Sequence, residues 1–242
     1  MKKLLDATKK SGNTKIRKTG NDAKLFGKPV RMAQLSMMPN AILCAGSKAA
    51  GCMDDCLKGA GLAVVYKSVN ESRQHKTDYF QSQPEKFKAQ LIRELTNFSK
   101  LCKKQGVQGV VRLNVLSDIA WEEIGIPQLF PELFFYDYTK RVKRIGKTPT
   151  NYKLMFSYSG KASYRKQVEA AYNKDVPIAV VFRGEFPKRF LGRQVVKGDL
   201  SDLINVQSGK VVVGLKAKGP AKKNDNGFVV DANSRLIAMA GR

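Results

Sequence analysis

The chain has 242 residues, 43% of them hydrophobic, with 44 Lys plus Arg against 20 Asp plus Glu, a net charge of +24. That length suits one domain or a closely packed pair. No run reaches the roughly 18 apolar residues of a membrane span, and the charged start MKKLLDATKKSGNTK lacks the apolar stretch of a signal peptide. The charge surplus implies a polyanionic partner: nucleic acid first, because each neutralised phosphate releases counterions, with an acidic protein as the alternative.

Residues 1–32 carry ten Lys or Arg against two Asp and sustain no apolar period, which reads as a mobile basic arm. Lys9, Lys10, Lys15, Arg17 and Lys18 belong to it. A short apolar approach, Met37 to Leu43, leads into the loop CAGSKAAGCMDDC. Here Cys44, Cys52 and Cys56 are candidate ligands for an iron–sulfur cluster with one open iron, or for a zinc ion with an open position. Their spacing matches no standard zinc module, and cysteine is also a small buried apolar residue. Four cysteines in a chain this long make no disulfide framework, so a reducing cytoplasm is expected.

Tyr66 to Phe80 is polar, helical or irregular, and holds the single histidine, His75; one histidine excludes a His-pair metal site and an HExxH protease. Pro84 to Lys104 is the clearest helix: proline opens it, and Phe87, Leu91, Leu95, Phe98 and Cys102 recur at helical spacing. A strand is expected over 110–117, followed by apolar runs at 133–138, 153–158, 177–182 and 210–215, with a helix over 162–174. Alternating strands and helices predict an α/β fold, a mainly parallel sheet or an incomplete TIM-like barrel, over 33–220. The polar tail, 221–242, is expected to pack on it as a C-terminal extension.

In such folds chemistry gathers at the C-terminal ends of the strands. Asn114, Ser117 and Asp118 follow the first strand of the 110–140 stretch, and Asp137 and Lys140 end the second; these five are the candidate catalytic residues. Arg112, Arg183, Lys216 and Lys218, with Tyr138, Ser157 and Ser159, are candidates to hold phosphate or nucleic acid, Tyr136, Tyr138 and Tyr158 by stacking on bases. Asp118, Asp199 and Asp202 are an alternative metal set, for magnesium. The competing reading is that strand-end Asp and Ser side chains only cap the following helices.

Arg112-x-Asn114-x-x-Ser117-Asp118 followed by Phe135-Tyr136-Asp137-Tyr138-Thr139-Lys140, after a cysteine loop, resembles the phage gene-88-product-like family. The resemblance covers residues 34–160 and includes LSMMPN and SYSG. It implies a phage context, with the host cytoplasm as location, and no particular mechanism. The cysteine-then-strand layout is distantly similar to radical-SAM barrels, which would imply an iron–sulfur cluster. Those proteins space three cysteines by three residues then two, whereas seven then three stand here. Three functions follow: an enzyme acting on nucleic acid or nucleotides, a non-catalytic DNA- or RNA-binding factor, or a cluster enzyme.

Overall fold

A computed structural model describes residues 2–7, 25–223 and 225–232. Within them a ten-stranded sheet runs in the order β1-β2-β3-β4-β5-β6-β9-β8-β7, with β10 beside β6. Its strands are β1 Leu5–Ala7, β2 Val30–Leu35, β3 Gln108–Arg112, β4 Phe134–Thr139, β5 Tyr152–Ser157, β6 Ile178–Arg183, β7 Arg189–Phe190, β8 Arg193–Lys197, β9 Val212–Lys216 and β10 Val230–Asp231. From β2 through β6, β9 and β8 every neighbouring pair is parallel; only β1 on β2 and β7 on β8 are antiparallel. The fold is therefore α/β with a mainly parallel sheet, and that sheet does not close into a barrel.

Four helices matter to the site: α1 Lys67–Ser82, α2 Pro84–Lys104, α3 Arg165–Tyr172 and α4 Asp202–Val206. The spacing expected of α2 buries Phe87, Leu91, Leu95, Phe98 and Cys102 against Ala33, Leu35, Val111, Leu113 and Phe135. A fully buried side chain of this size contributes roughly 1.5–3 kcal/mol, so the apolar stripe rather than propensity holds the helix. A Cβ at Gly109 would stand 2.4 Å from Leu133 Cδ2 and 3.1 Å from Cys102 Sγ, which is why glycine occupies β3 under α2. On the same face Ala171 of α3 packs on Phe156, Ile178, Val180 and Phe182. On the other face Leu203 and Val206 of α4 pack on Met32, Val110, Tyr136, Met155, Ala179 and Val213.

Several boundaries differ from expectation. The strand expected over 110–117 ends at Arg112, because Leu113 to Ala120 turn away to build the polar cluster described below. The helix expected over 162–174 is a 3-10 turn, Ala162–Tyr164, followed by α3. The expected N-terminal arm contains sheet at both ends. Leu4 is buried, Leu5–Ala7 pair with β2, and Glu94 of α2 accepts the Leu4 and Leu5 N–H groups at 3.1 and 2.8 Å. Lys9, Lys10, Lys15, Arg17 and Lys18 lie outside the described residues. At the far end β10 pairs with β6, so part of the C-terminal extension completes the sheet. Among the described residues no helix is long and apolar enough to cross a membrane.

Candidate functional site

Parallel pairing brings the ends of β3, β4 and β5 side by side, and three polar clusters form there. The first lies on the face covered by α2. Asp137 accepts the Asn114 N–H at 2.8 Å, Asn114 Nδ2 at 3.2 Å and the Tyr152 hydroxyl at 2.9 Å. Asn114 Oδ1 in turn accepts from the Ser117 hydroxyl, the Ile119 N–H and Trp121 Nε1, at 2.8, 2.9 and 3.2 Å. Asp118 accepts the Lys140 N–H at 2.8 Å and pairs with Arg144. Arg144 also grips Glu122 through Nε and Nη2, at 2.7 and 2.8 Å, and donates to the Tyr152 hydroxyl at 3.0 Å. Four of the five candidate catalytic residues thus converge, all of them buried.

Burial shapes their protonation. It pushes the Asp137 carboxyl up to about 7 against the pull of Arg112 and of the Asn114 N–H. Burial likewise raises Asp118, opposed first by Arg144. For Arg144 burial works against the charge, but the Glu122 hydrogen bond, Tyr152 and Asp118 outweigh it and hold the guanidinium firmly ionised.

The second cluster lies on the opposite face. Arg112 points there and pairs with Asp202 of α4 at 3.0 Å; the Tyr136 and Tyr138 hydroxyls reach the same carboxylate at 3.2 and 2.6 Å. The Arg112 guanidinium sits 4.8 Å from the centre of the Tyr138 ring. Ser201 caps α4, accepting the Leu203 and Ile204 N–H groups. Arg112, Tyr136 and Tyr138 are therefore spent on seating α4, and Tyr158 packs edge-on against Phe190. Asp199 is elsewhere, receiving the Lys216 N–H and the Lys218 ammonium, both at 2.9 Å. Arg183 pairs with Asp225 at 2.7 Å.

The third cluster joins the cysteine loop to the strand ends. Lys140 Nζ donates to the Ser157 and Tyr158 carbonyls at 3.1 and 2.8 Å and lies 4.5 Å from the Phe228 ring centre. Burial lowers its pKa to about 8, opposed by Cys52 and Asp118. Gly46 rests on Lys140 so closely that a Cβ there would fall 2.6 Å from Lys140 Cβ. Ser159 donates to the Ala50 carbonyl at 2.7 Å, anchoring the same loop.

The cysteines gather but do not converge as ligands. Cys44 feels the charge of both Cys56 and Cys52, yet its Sγ donates to the Leu116 carbonyl at 3.4 Å, and Cys52 Sγ turns to the Ser47 carbonyl at 3.9 Å. Burial pushes the Cys44 thiol up to about 12 and raises Cys52 and Cys56 as well. Asp55, beside Cys56, is buried with neither carboxylate oxygen hydrogen-bonded. Among the described residues no group of three or more His, Cys, Asp or Glu side chains is arranged to hold a metal ion. In this arrangement neither the cysteine set nor Asp118, Asp199 and Asp202 fits a cluster, zinc or magnesium.

Arg144, Glu122 and Tyr152 were not singled out from sequence. Arg144 sits in the basic run KRVKR, which reads as surface; its burial between Val142 and Ile145 in a 3-10 turn is the one local signal. Beside the first cluster lies an open cleft of about 280 Å³, lined by Ile42, Leu43, Phe80, Ile124, Asp118 and Arg141 among others. Arg141 donates to the Asp118 carbonyl at 2.9 Å.

These features define a class: an open, mainly parallel α/β protein with its strand-end polar groups locked into internal networks. The model of the family described as Gene product 88 matches residues 4–232, and the chain belongs to that family of phage gene products. The match extends well beyond the 34–160 span that carried the resemblance. No curated protein and no solved structure matches the chain.

Proposed function

We propose that this is a nucleic-acid-associated protein that binds through its cationic surface, its strand-end network serving as architecture. The observation that carries the reading is where the acids go. Asp118 and Glu122 are bound to Arg144, Asp202 to Arg112, Asp199 to Lys218 and Asp225 to Arg183. With 20 acids against 44 cations, the carboxylates are too few to pair even half of the Lys and Arg side chains one to one, and many of the lysines among the described residues are exposed. Such a surface attracts phosphate backbones by counterion release. The test is anisotropy of a labelled duplex and a labelled single strand between 50 and 300 mM salt. Affinity is expected to fall steeply, with a slope of about −0.9 per phosphate on duplex and about −0.7 on a single strand. No binding to either at 50 mM salt overturns the reading.

A second reading, an enzyme acting on nucleotides at the strand-end face, draws on the cleft beside Asp118, where Arg141 would meet a phosphate. Turnover of a nucleotide that Arg141→Ala abolishes, with folding intact, would favour it over the first.

A further inference from the structure

The nucleic-acid reading leaves open which surface makes contact, and the cations are not spread evenly in their pairing. At the strand C-terminal end several are consumed by acids, Arg112, Arg144, Arg183 and Lys218 among them. The opposite end of the sheet differs. Arg31 Nη1 donates to Gln105 Oε1 at 2.8 Å and the Gln108 N–H donates to the Pro29 carbonyl at 2.8 Å, so the start of β2 and the end of α2 share one edge. The charges of both Arg31 and Lys28 reach the Cys102 thiol, which places them against the last turn of α2. Lys100, Lys103 and Lys104 stand on that turn at i, i+3 and i+4, hence side by side on the helix surface.

Lys28, Lys100, Lys103 and Lys104 are exposed and Arg31 is partly so. None of the five has an ion-pair partner among the described residues. Residues 23–36 and 99–110 contain no Asp or Glu at all. Glu132, a carboxylate near this edge, accepts from the Ser99 hydroxyl and keeps its charge, one against five cations. The negative end of the α2 dipole draws cations to this position, but a half charge does not neutralise five.

We propose that this edge, formed by Lys28, Arg31, Lys100, Lys103 and Lys104, is the surface along which a nucleic-acid backbone lies. The proposal rests on the nucleic-acid reading and goes beyond it by placing the contact opposite the strand-end network. The chemistry is a row of cations without ion-pair partners among the described residues, and the five side chains offer no aromatic ring for stacking. It therefore recognises phosphates and not bases, and a preference among sequences is not expected.

The test compares the full chain with two variants of equal net charge. One is Lys28→Ala/Lys103→Ala/Lys104→Ala; the other, at the strand-end side, is Lys48→Ala/Lys222→Ala/Lys223→Ala. All six lysines are exposed, and thermal melting checks that both variants fold. Binding to a labelled 30-base-pair duplex, to a single strand and to poly-L-glutamate is followed from 50 to 300 mM salt. For the first variant the duplex salt slope is expected to become shallower by roughly 2 to 3, since each phosphate contact contributes about 0.9. Its affinity at 100 mM salt should fall more than tenfold, and that of the second variant less than threefold. If wild type binds and the first variant matches it, or the second loses as much, the edge is not the contact surface while the nucleic-acid reading stands. Wild type that binds neither nucleic acid overturns both, whether or not it binds poly-L-glutamate.

Discussion

Arg144 is the residue on which the strand-end network turns, because one guanidinium satisfies two buried carboxylates and a tyrosine. Arg144→Met leaves Asp118 and Glu122 buried without their cation, and stripping one partner from a buried pair costs about 3–5 kcal/mol. Urea unfolding should report a loss of that size. A loss under about 1 kcal/mol would mean that the acids are solvated after all. Arg144→Lys should rescue little, since a point charge cannot fork between Glu122 and Asp118. Asp137 makes a pH prediction. Its folded pKa, about 7, lies above the unfolded value near 3.9, so the native state holds the proton more tightly. The associated stability is fully present below about pH 4 and is lost as pH rises through about 7, at up to about 1.4 kcal/mol per unit. Wild type should lose more stability between pH 5 and 8 than Asp137→Asn; parallel profiles would refute this.

At the scale of elements, the cysteine loop is seated on the strand ends by close approach. Gly46 has no room for a side chain over Lys140, and Ser159 and Ser163 fix Ala50 and Ala49 through their carbonyls. Seated there, all three loop thiols have raised pKa values, chiefly through burial. Iodoacetamide at pH 7.5 should therefore label Cys44, Cys52 and Cys56 at least tenfold more slowly than in the urea-unfolded chain, because the thiolate is the nucleophile. Gly46→Ala should lift the loop and speed labelling of Cys44 and Cys52 severalfold, read by mass spectrometry. Equal labelling in wild type and variant would show that the loop is not seated by this contact.

For the whole molecule the N-terminus is structural before it is anything else. Leu4 enters the core, and β1 covers the edge of β2 that would otherwise present unpaired N–H and C=O groups. Deleting residues 1–7 should lower the melting temperature and promote concentration-dependent association, since an exposed edge strand is a template for pairing. Light scattering measures the association; a deletion variant that stays monodisperse at high concentration would argue that β1 is dispensable. For the same reason, truncating the basic N-terminal segment confounds charge with folding, and replacing individual lysines is the cleaner way to weigh its cations.

What the sequence determined by itself is what near neighbours encode. The stripe Phe87, Leu91, Leu95, Phe98 and Cys102 specified α2 and its buried face, and apolar runs separated by helices specified a mainly parallel α/β sheet. The motif from Arg112 to Lys140 also located the strand-end polar groups, because Asn114, Ser117, Asp118 and Asp137 sit at the ends of adjacent parallel strands. Their roles depended on partners far along the chain. Arg112 meets Asp202 across 90 residues, and Asp118 meets Arg144 across 26. No local period records such pairs, since they exist only once the strands are ordered. The insertion of β9 between β6 and β8, and the use of a basic N-terminal segment as sheet edge, were likewise decided by tertiary structure. There, burial of Leu4 and Met32 and pairing of open strand edges outweighed the surface-like composition around them.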